Sequence, residues 1–523
     1  MARIDIYDTT LRDGTQGEGV SLSVQDKILI SRKLDELGVD FIEGGYPLSN
    51  PKDAAFFQEA RGLKLGHAKL VAFGMTRRKG VKPADDTGLG ALRDAETEVV
   101  TIVGKTWDLQ VTEVLGITLE ENLEMIFDSV QYLTGLGRKV IYDAEHFFDG
   151  TAANQEYALQ TIEAAARGGA ILVCVCDTNG GSMPERIAEF VTLAKSRVKC
   201  PIGIHPHNDC GLATANTLAA VRAGATQVQG TMNGIGERCG NVDLTTVIAN
   251  LRLKMGYDCL RADSLRHLTE VSRYVYEVAN LNLMNGQPYV GMSAFAHKGG
   301  MHVHAVNKLA RSYEHVEPES VGNARRILVS ELSGVSNISA KAGKKFNIES
   351  DRVAQKRILD EVTRLEAGGF VFEAAEGSFE LIVRKIIGSH HAFFELDHYR
   401  VAVHRAGTDA PVTKTTLTLH VKDQEVNASA EGDGPVNALD NALRHALIPH
   451  YPSLETLRLL DYKVRVVNST AATAAKVRVV IEFRSPYGVF GTVGVSENVI
   501  DASWQALADG VEYHLIHDAE MAK

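Results

Sequence analysis

Two stretches far apart in the chain carry side chains that could share one ion. The first is Asp8-Thr9-Thr10-Leu11-Arg12-Asp13-Gly14-Thr15-Gln16, and the second is His205-Pro206-His207. Alone, the adjacent Arg12 and Asp13 read as a salt bridge in a surface turn. The histidines say more, because residues i and i+2 of a strand project to one side. Two imidazoles placed so can offer nitrogen lone pairs to a single divalent cation. A third stretch, Asn233-Gly234-Ile235-Gly236-Glu237-Arg238-Cys239-Gly240-Asn241, has glycines that let the backbone fold back on itself. Asn241 ends it with a carbonyl oxygen that could join the set. Mixed nitrogen and oxygen ligands suit Mg²⁺, Mn²⁺ or Zn²⁺, and ligand type does not choose among them.

These residues can meet only if the fold brings their elements to one end. Eight short β-branched runs occur, at residues 4–8, 41–44, 70–73, 99–103, 139–143, 171–175, 202–205 and 227–231. Helical stretches such as 23–37 and 119–133 lie between them, and Gly38, Gly169 and Gly224 stand where helices must stop and return to strands. Eight strand–helix units in about 250 residues predict an α/β fold of the (β/α)8 TIM-barrel type. An open doubly wound sheet competes less well, since no GxGxxG loop follows the first run. In the barrel, strands 1, 7 and 8 are neighbours and their C-terminal ends form one mouth. Asp13, His205, His207 and Asn241 should therefore converge there.

The expected layout is a catalytic barrel over residues 1–258, mostly helical linker subdomains over 259–375, and a C-terminal α+β domain over 376–523. An amphipathic helix is predicted at 263–280. In the last part, strands are predicted at 379–386, 415–421, 463–467 and 477–483, and helices at 436–447 and 498–507. A weak repeat runs through it: strands lead to Gly432-Asp433-Gly434-Pro435 and a helix, then strands lead to Gly491-Thr492-Val493-Gly494 and a helix.

Composition narrows the partners. Of 523 residues, 45% are hydrophobic and 23% charged, an ordinary globular balance. Lys plus Arg is 55 against 66 Asp plus Glu, a net −11, which disfavours binding to nucleic-acid phosphates. No apolar run approaches the roughly 18 residues of a membrane span, and the N-terminus lacks a signal layout, so a cytoplasmic protein is expected. The six cysteines include no CxxC pair and read as free thiols. The basic stretch 76–82 reads as a solvated loop, with contact to a ligand's phosphates as the alternative. Tyr46 and Trp107 follow strands 2 and 4 and could narrow a pocket.

Together, DTTLRDGTQ, HPHNDCGLATANT and NGIGERCGN resemble the acyl-CoA-condensing metalloenzymes of the 2-isopropylmalate, homocitrate and citramalate synthase family. The resemblance covers nearly the whole chain. GDGPVNAL and GTVGVSENVIDAS resemble that family's regulatory dimerisation domain. EGGYPLSNPKD at 43–53 and GKTWDL at 104–109 most resemble the citramalate branch.

The resemblance implies roles. Asp13, His205, His207 and Asn241 would hold a divalent metal, Mg²⁺ or Mn²⁺ before Zn²⁺. Arg12 would face the ketone oxygen of a 2-oxo acid, and Thr178 its carboxylate. Glu145, His302 and Tyr313 would be catalytic. The usual His-x-Asp is here His302-Val303-His304, which leaves a second acidic group without a counterpart. Acetyl-CoA and pyruvate are the implied substrates, with isoleucine or leucine as feedback inhibitor of a homodimer. The chemistry fits the residue types: a thioester methyl needs a placed base, and charge growing on the ketone oxygen needs a cation or guanidinium. 2-Isopropylmalate synthase is the runner-up. A homocitrate synthase or an acyl-CoA lyase of the same barrel would have less reason for the last domain, and a catalytically silent amino-acid sensor is the alternative of another class.

Overall fold

The computed structural model describes residues 2–261, 263–330, 333–467 and 475–521. Eight parallel strands close into a barrel: β1 (Asp5–Asp8), β2 (Phe41–Gly45), β3 (Lys69–Met75), β4 (Val99–Lys105), β5 (Lys139–Glu145), β6 (Leu172–Asp177), β7 (Ile202–Pro206) and β8 (Gln227–Gly230). β1 closes the ring on β8, from Asp5 opposite Gln227 to Asp8 opposite Gly230. This is the predicted (β/α)8 barrel.

Local chemistry sets the returns. Ser23 and Asp26 make a capping box at the start of helix Val24–Leu37, and Gly38 ends it at φ 93°. Few residues other than glycine take that conformation cheaply.

The interior is layered by strand parity. The lower layer is apolar, with Tyr7, Val71, Val99, Ile141, Leu172 and Cys174. Two residues further along their strands stand Phe73, Thr101, Asp143 and Cys176, and Glu43 and Gln229 belong to the same polar tier. Outside, residues such as Ile6, Leu34 and Val173 are fully buried between strands and helices, each contributing about 1.5–3 kcal/mol. The lower barrel thus supplies rigidity and the upper barrel supplies chemistry.

The chain forms two compact units. One is Met1–Phe295 with Val316–Ala324, and the other is Ala296–His315 with Arg325–Lys523. In the first, the predicted helix at 263–280 divides into a 3-10 turn, Ser264–His267, and an α-helix, Leu268–Val278.

The second unit opens with two short parallel strands, β9 (Ala296–His297) and β10 (Arg326–Ile327). Helix Gly300–Lys308 follows β9. Two antiparallel sheets come later, one of β11 (Glu395–His404), β12 (Val412–Val421) and β13 (Gln424–Gly432), the other of β14 (Arg458–Val466), β15 (Val477–Ser485) and β16 (Gly488–Ser496). Each leads into a helix, Pro435–Leu447 and Val499–Met521, which is the repeat expected from the sequence.

One prediction is corrected here. Residues 379–386 are not a strand but part of helix Glu376–Ile387. Glu380 and Arg384 pair one turn apart at 2.8 Å, Gly388 supplies the left-handed stop, and Phe379 and Val383 share a core face at helical spacing. That core also contains Val329, Ile338, Ile358, Phe372, Val493 and Val495, so one apolar cluster runs across residue 375. Among the described residues, no helix is long and apolar enough to cross a membrane.

Candidate active site

The barrel mouth gathers the predicted ligand set. Asp13, His205 and His207 are buried, and their ligand atoms lie within 4.8 Å of one another. Asp13 Oδ2 is 3.3 Å from His205 Nε2 and 4.0 Å from His207 Nε2. Asn241 faces His207 across an isolated antiparallel bridge. Its Nδ2 donates to the Ile235 carbonyl at 3.4 Å, which leaves Oδ1 free. The loop needs its glycines: a Cβ on Gly236 would lie 2.2 Å from Asn241 Nδ2, and one on Gly240 would lie 2.0 Å from the Gly234 carbonyl oxygen.

A divalent cation fits these residues. Asp13 Oδ1 and Asn241 Oδ1 are buried and have no hydrogen-bond partner. An unpaired buried acceptor costs about 1–3 kcal/mol, which a cation would relieve. Electrostatics agree. Burial opposes ionisation of Asp13, but Arg12 and then His205 overcome it and hold the carboxyl far below its ordinary range. Burial and the adjacent His205 push His207 down to about 4, keeping it neutral and able to ligate. His205 is raised, because the hydrogen bond and charge of Asp13 outweigh burial. The trio Asp143, Cys174 and Cys176 is also close-set but poorly suited to a cation. Burial lifts the Cys174 thiol well above its usual range; Cys176 hydrogen-bonds toward Cys174, yet burial lifts it to about 11.

Arg12 is locked from two sides. Its Nε donates to Glu43 Oε1 at 2.5 Å, and its guanidinium carbon lies 3.9 Å from the Phe73 ring centroid. Glu43 is fully buried and also accepts from Tyr7 and Thr9 hydroxyls. Burial works against the Arg12 charge, and Glu43 followed by Asp13 more than restores it. Its Nη1 is 3.3 Å from Asp13, so the pair is part of the ligand cluster, not a solvent-facing turn bridge.

A second chain of bonds fixes His205. Gln229 Oε1 faces His205 Nδ1 at 3.0 Å, and Gln229 Nε2 donates to Asp143 Oδ1 at 3.0 Å. The amide accepts from Nδ1–H, so Nε2 is the nitrogen that faces Asp13 and the one that would give its lone pair to a bound cation on losing its proton. Burial raises the Asp143 carboxyl to about 7.

Two cavities meet at the mouth. One, about 260 Å³, is lined by Arg12, Asp13, His205, His207, Thr178 and Glu145 among others. The other, about 270 Å³, has apolar walls at Leu115, Ile117 and Met125 and a basic edge at Arg77, Arg78 and Lys79. Tyr46, Met75, Val103 and Glu145 line both. Thr178 Oγ1 accepts from the His146 amide at 2.8 Å. Glu145 ends β5, with Lys105 Nζ 2.5 Å from its Oε2.

His302 and Tyr313 belong to the second compact unit. Their rings stack there, with centroids 4.3 Å apart and planes at 28°. Next to Tyr313, Glu314 is buried, accepting from Arg325 and facing His297 Nε2 at 3.0 Å.

Two side readings change. The 76–82 stretch is not simply solvated: Arg77 is buried against Asp128 at 2.8 Å, and Arg78 pairs with Asp86 at 3.2 Å. Trp107 lines neither cavity and lies against His146, with centroids 5.6 Å apart, whereas Tyr46 lines both. Sequence reasoning assigned no role to Glu43, Gln229 or Lys105. The signal for the first two is a polar residue at an inward position of a fully buried strand segment.

The comparisons accord with this architecture. Residues 3–275 match the HMGL-like family, 289–368 the homocitrate synthase post-HMGL domain-like family, and 373–515 the LeuA allosteric (dimerisation) domain. A protein named (R)-citramalate synthase from Aquifex aeolicus is 51% identical over 522 residues, covering 99% of both chains. One of the same name from Geobacter sulfurreducens is 51% identical over 523 residues, again covering 99% of both. A protein named 2-isopropylmalate synthase from Methanocaldococcus jannaschii is 32% identical over 514 residues, 97% of this chain and 94% of the other.

Proposed function

The chain belongs to the (R)-citramalate synthase family, and from that premise we propose that it condenses acetyl-CoA with pyruvate and water to give (R)-citramalate and CoA. The observation that carries the reading is the meeting of Asp13, His205 and His207 beside a charge-locked Arg12 at the barrel mouth.

In this reading Asp13, His205, His207 and Asn241 would hold the divalent ion. When bound, it supplies Lewis-acid polarisation of the 2-oxo acid. Arg12 faces the ketone oxygen, and Thr178 faces the carboxylate. Because Glu43 and Phe73 fix the guanidinium before substrate arrives, its charge meets the developing oxyanion without reorganisation. Tyr46 and Phe73, edge-to-face at 6.1 Å, close the cavity around a small acceptor. Acetyl-CoA takes the adjoining apolar cavity, with its phosphates toward Arg77, Arg78 and Lys79. Its methyl then reaches the acceptor past Glu145, which lines both cavities. His302, with Tyr313 stacked on it, and Glu145 share the proton transfers. Water cleaves the thioester of the product, releases CoA and makes the sequence irreversible. The C-terminal domain binds isoleucine or leucine as feedback inhibitor, and the active form is a homodimer.

The test is CoA release measured with a panel of 2-oxo acids, before and after chelation of divalent ions. Pyruvate should be the best acceptor, with activity lost on chelation and restored by Mg²⁺ or Mn²⁺. Faster turnover of 2-oxoisovalerate would move the assignment to 2-isopropylmalate synthase. No release with any acceptor would end the catalytic reading in favour of a sensor.

A further inference from the structure

Lys105 ends β4 and stands opposite Glu145 in the β4–β5 register. Its side chain is only 16% exposed, and Nζ approaches Glu145 Oε2 at 2.5 Å. The backbone needs no help from this pair: the Thr106 amide donates to the Glu145 carbonyl, and Asn122 Nδ2 donates to the Lys105 carbonyl. The ammonium lines the cavity with apolar walls and not the one that holds Arg12. It therefore borders a different cavity from Asp13, His205 and His207, while Glu145 borders both. The other cations of the Lys105 cavity form its basic edge. Arg77 binds Asp128, Arg78 binds Asp86, and Lys79 Nζ donates to the Gly116 carbonyl.

We infer that Lys105 is a further catalytic residue, whose ammonium donates to the thioester carbonyl oxygen of the acyl donor as that oxygen becomes an enolate. The inference rests on the reading above, in which the acyl donor enters this cavity. The charge balance explains the need. A base takes a proton from the methyl, the C–H electron pair becomes a C=C bond, and the C=O π pair moves onto the thioester oxygen. Arg12 serves the ketone oxygen of the other substrate, in the other cavity. The thioester oxygen needs its own positive partner, and Lys105 stands in the cavity assigned to the acyl donor. An ammonium has three N–H donors, so Lys105 can keep its bond to Glu145 and still give one to the substrate. Once the enolate carbon attacks the ketone, the thioester carbonyl re-forms and that hydrogen bond weakens. The interaction is strongest when charge is greatest, which is the condition for acceleration.

The test compares wild type with Lys105→Met and Lys105→Arg, using ordinary and methyl-deuterated acetyl-CoA with pyruvate. Removing an oxyanion donor costs about 10²–10³ in kcat, and that loss is expected for Lys105→Met. Proton abstraction should become slower than the other steps, so the deuterium isotope effect on kcat should rise, while the pyruvate KM and Mn²⁺ affinity stay near wild type. Lys105→Arg should recover part of the rate. A merely structural role would lower melting temperature, Mn²⁺ affinity or pyruvate binding and leave the isotope effect unchanged, and that pattern overturns the inference. So does a kcat for Lys105→Met within threefold of wild type. If Lys105→Met does not fold, Lys105→Gln is measured against the same criteria. Wild-type enzyme that releases no CoA with any 2-oxo acid refutes the functional reading itself, which keeps the two failures apart.

Discussion

Gln229 offers a sharp test of whether the barrel interior prepares the cation site. Its amide accepts from His205, which the proposed site uses as a ligand, and donates to Asp143, both at 3.0 Å. Gln229→Leu removes both bonds and leaves His205 Nδ1 and Asp143 Oδ1 buried without this partner. Losing the group that orients a ligand histidine typically weakens metal binding 10–100-fold, about 1.4–2.7 kcal/mol. Each polar group left unpaired costs about 1–3 kcal/mol of stability, so the metal-free protein should melt measurably lower. Gln229→Glu separates the effects. It keeps an acceptor for His205 but sets a carboxyl beside Asp143, and two adjacent carboxylates resist joint ionisation. Its Mn²⁺ affinity should stay near wild type while its stability falls as pH rises. Mn²⁺ titration by calorimetry, and thermal unfolding in chelator, read the two quantities. Wild-type Mn²⁺ affinity in Gln229→Leu would refute the argument that this amide sets the His205 tautomer.

Other expectations follow from the same geometry. Burial raises the Asp143 carboxyl to about 7, so the native state keeps a proton that the unfolded chain releases above about pH 4. The associated stability is complete below that pH and is lost as pH rises to 7, by up to about 4 kcal/mol. Asp143→Asn should therefore match the metal-free wild type near pH 4 and become progressively more stable than it toward pH 7; a constant difference in unfolding free energy would contradict this. Tyr46→Ala should enlarge the acceptor pocket and shift kcat/KM from pyruvate toward 2-oxobutyrate by roughly 10–200-fold, which competition kinetics would show. His302→Ala and Glu145→Gln should each lower kcat by about 100-fold or more with Mn²⁺ affinity retained, and near-normal turnover in both would remove them from proton transfer.

The barrel was legible because its signals are local and repeated. Most strands are short apolar runs, and the returns into β2, β5, β6 and β8 carry a glycine with positive φ, such as Gly38 or Gly169. The clustering of Asp13, His205 and His207 was legible because strand parity puts His205 and His207 on one side and closure brings β1 beside β8. Glu43 and Gln229 were harder to find. A polar residue in a buried strand has meaning only once its partner is known, and Arg12 and His205 become partners only through the register of the closed ring. The misread segment 379–386 failed differently. Its apolar run has strand character, but the Glu380–Arg384 pair and the distant Val493 and Val495 favour a helix. β16 went unnoticed because Gly491 and Gly494 resemble turn residues. In the fold they permit close backbone approach: a Cβ there would lie 1.8 Å from the Ala374 oxygen and 2.0 Å from the Ala502 oxygen. Trp107 was misplaced since a side chain just past a strand end takes its direction from the following loop.

The apolar cluster that runs across residue 375 bears on how such a protein can lose its control. Val329, Ile338 and Ile358 are roofed by Phe379, Val383, Val493 and Val495. A chain severed near that point would present a raw greasy face instead of a finished end. The tail is therefore no detachable accessory, and a variant indifferent to its effector should arise by altering residues in place, with the scaffold whole, sooner than by pruning.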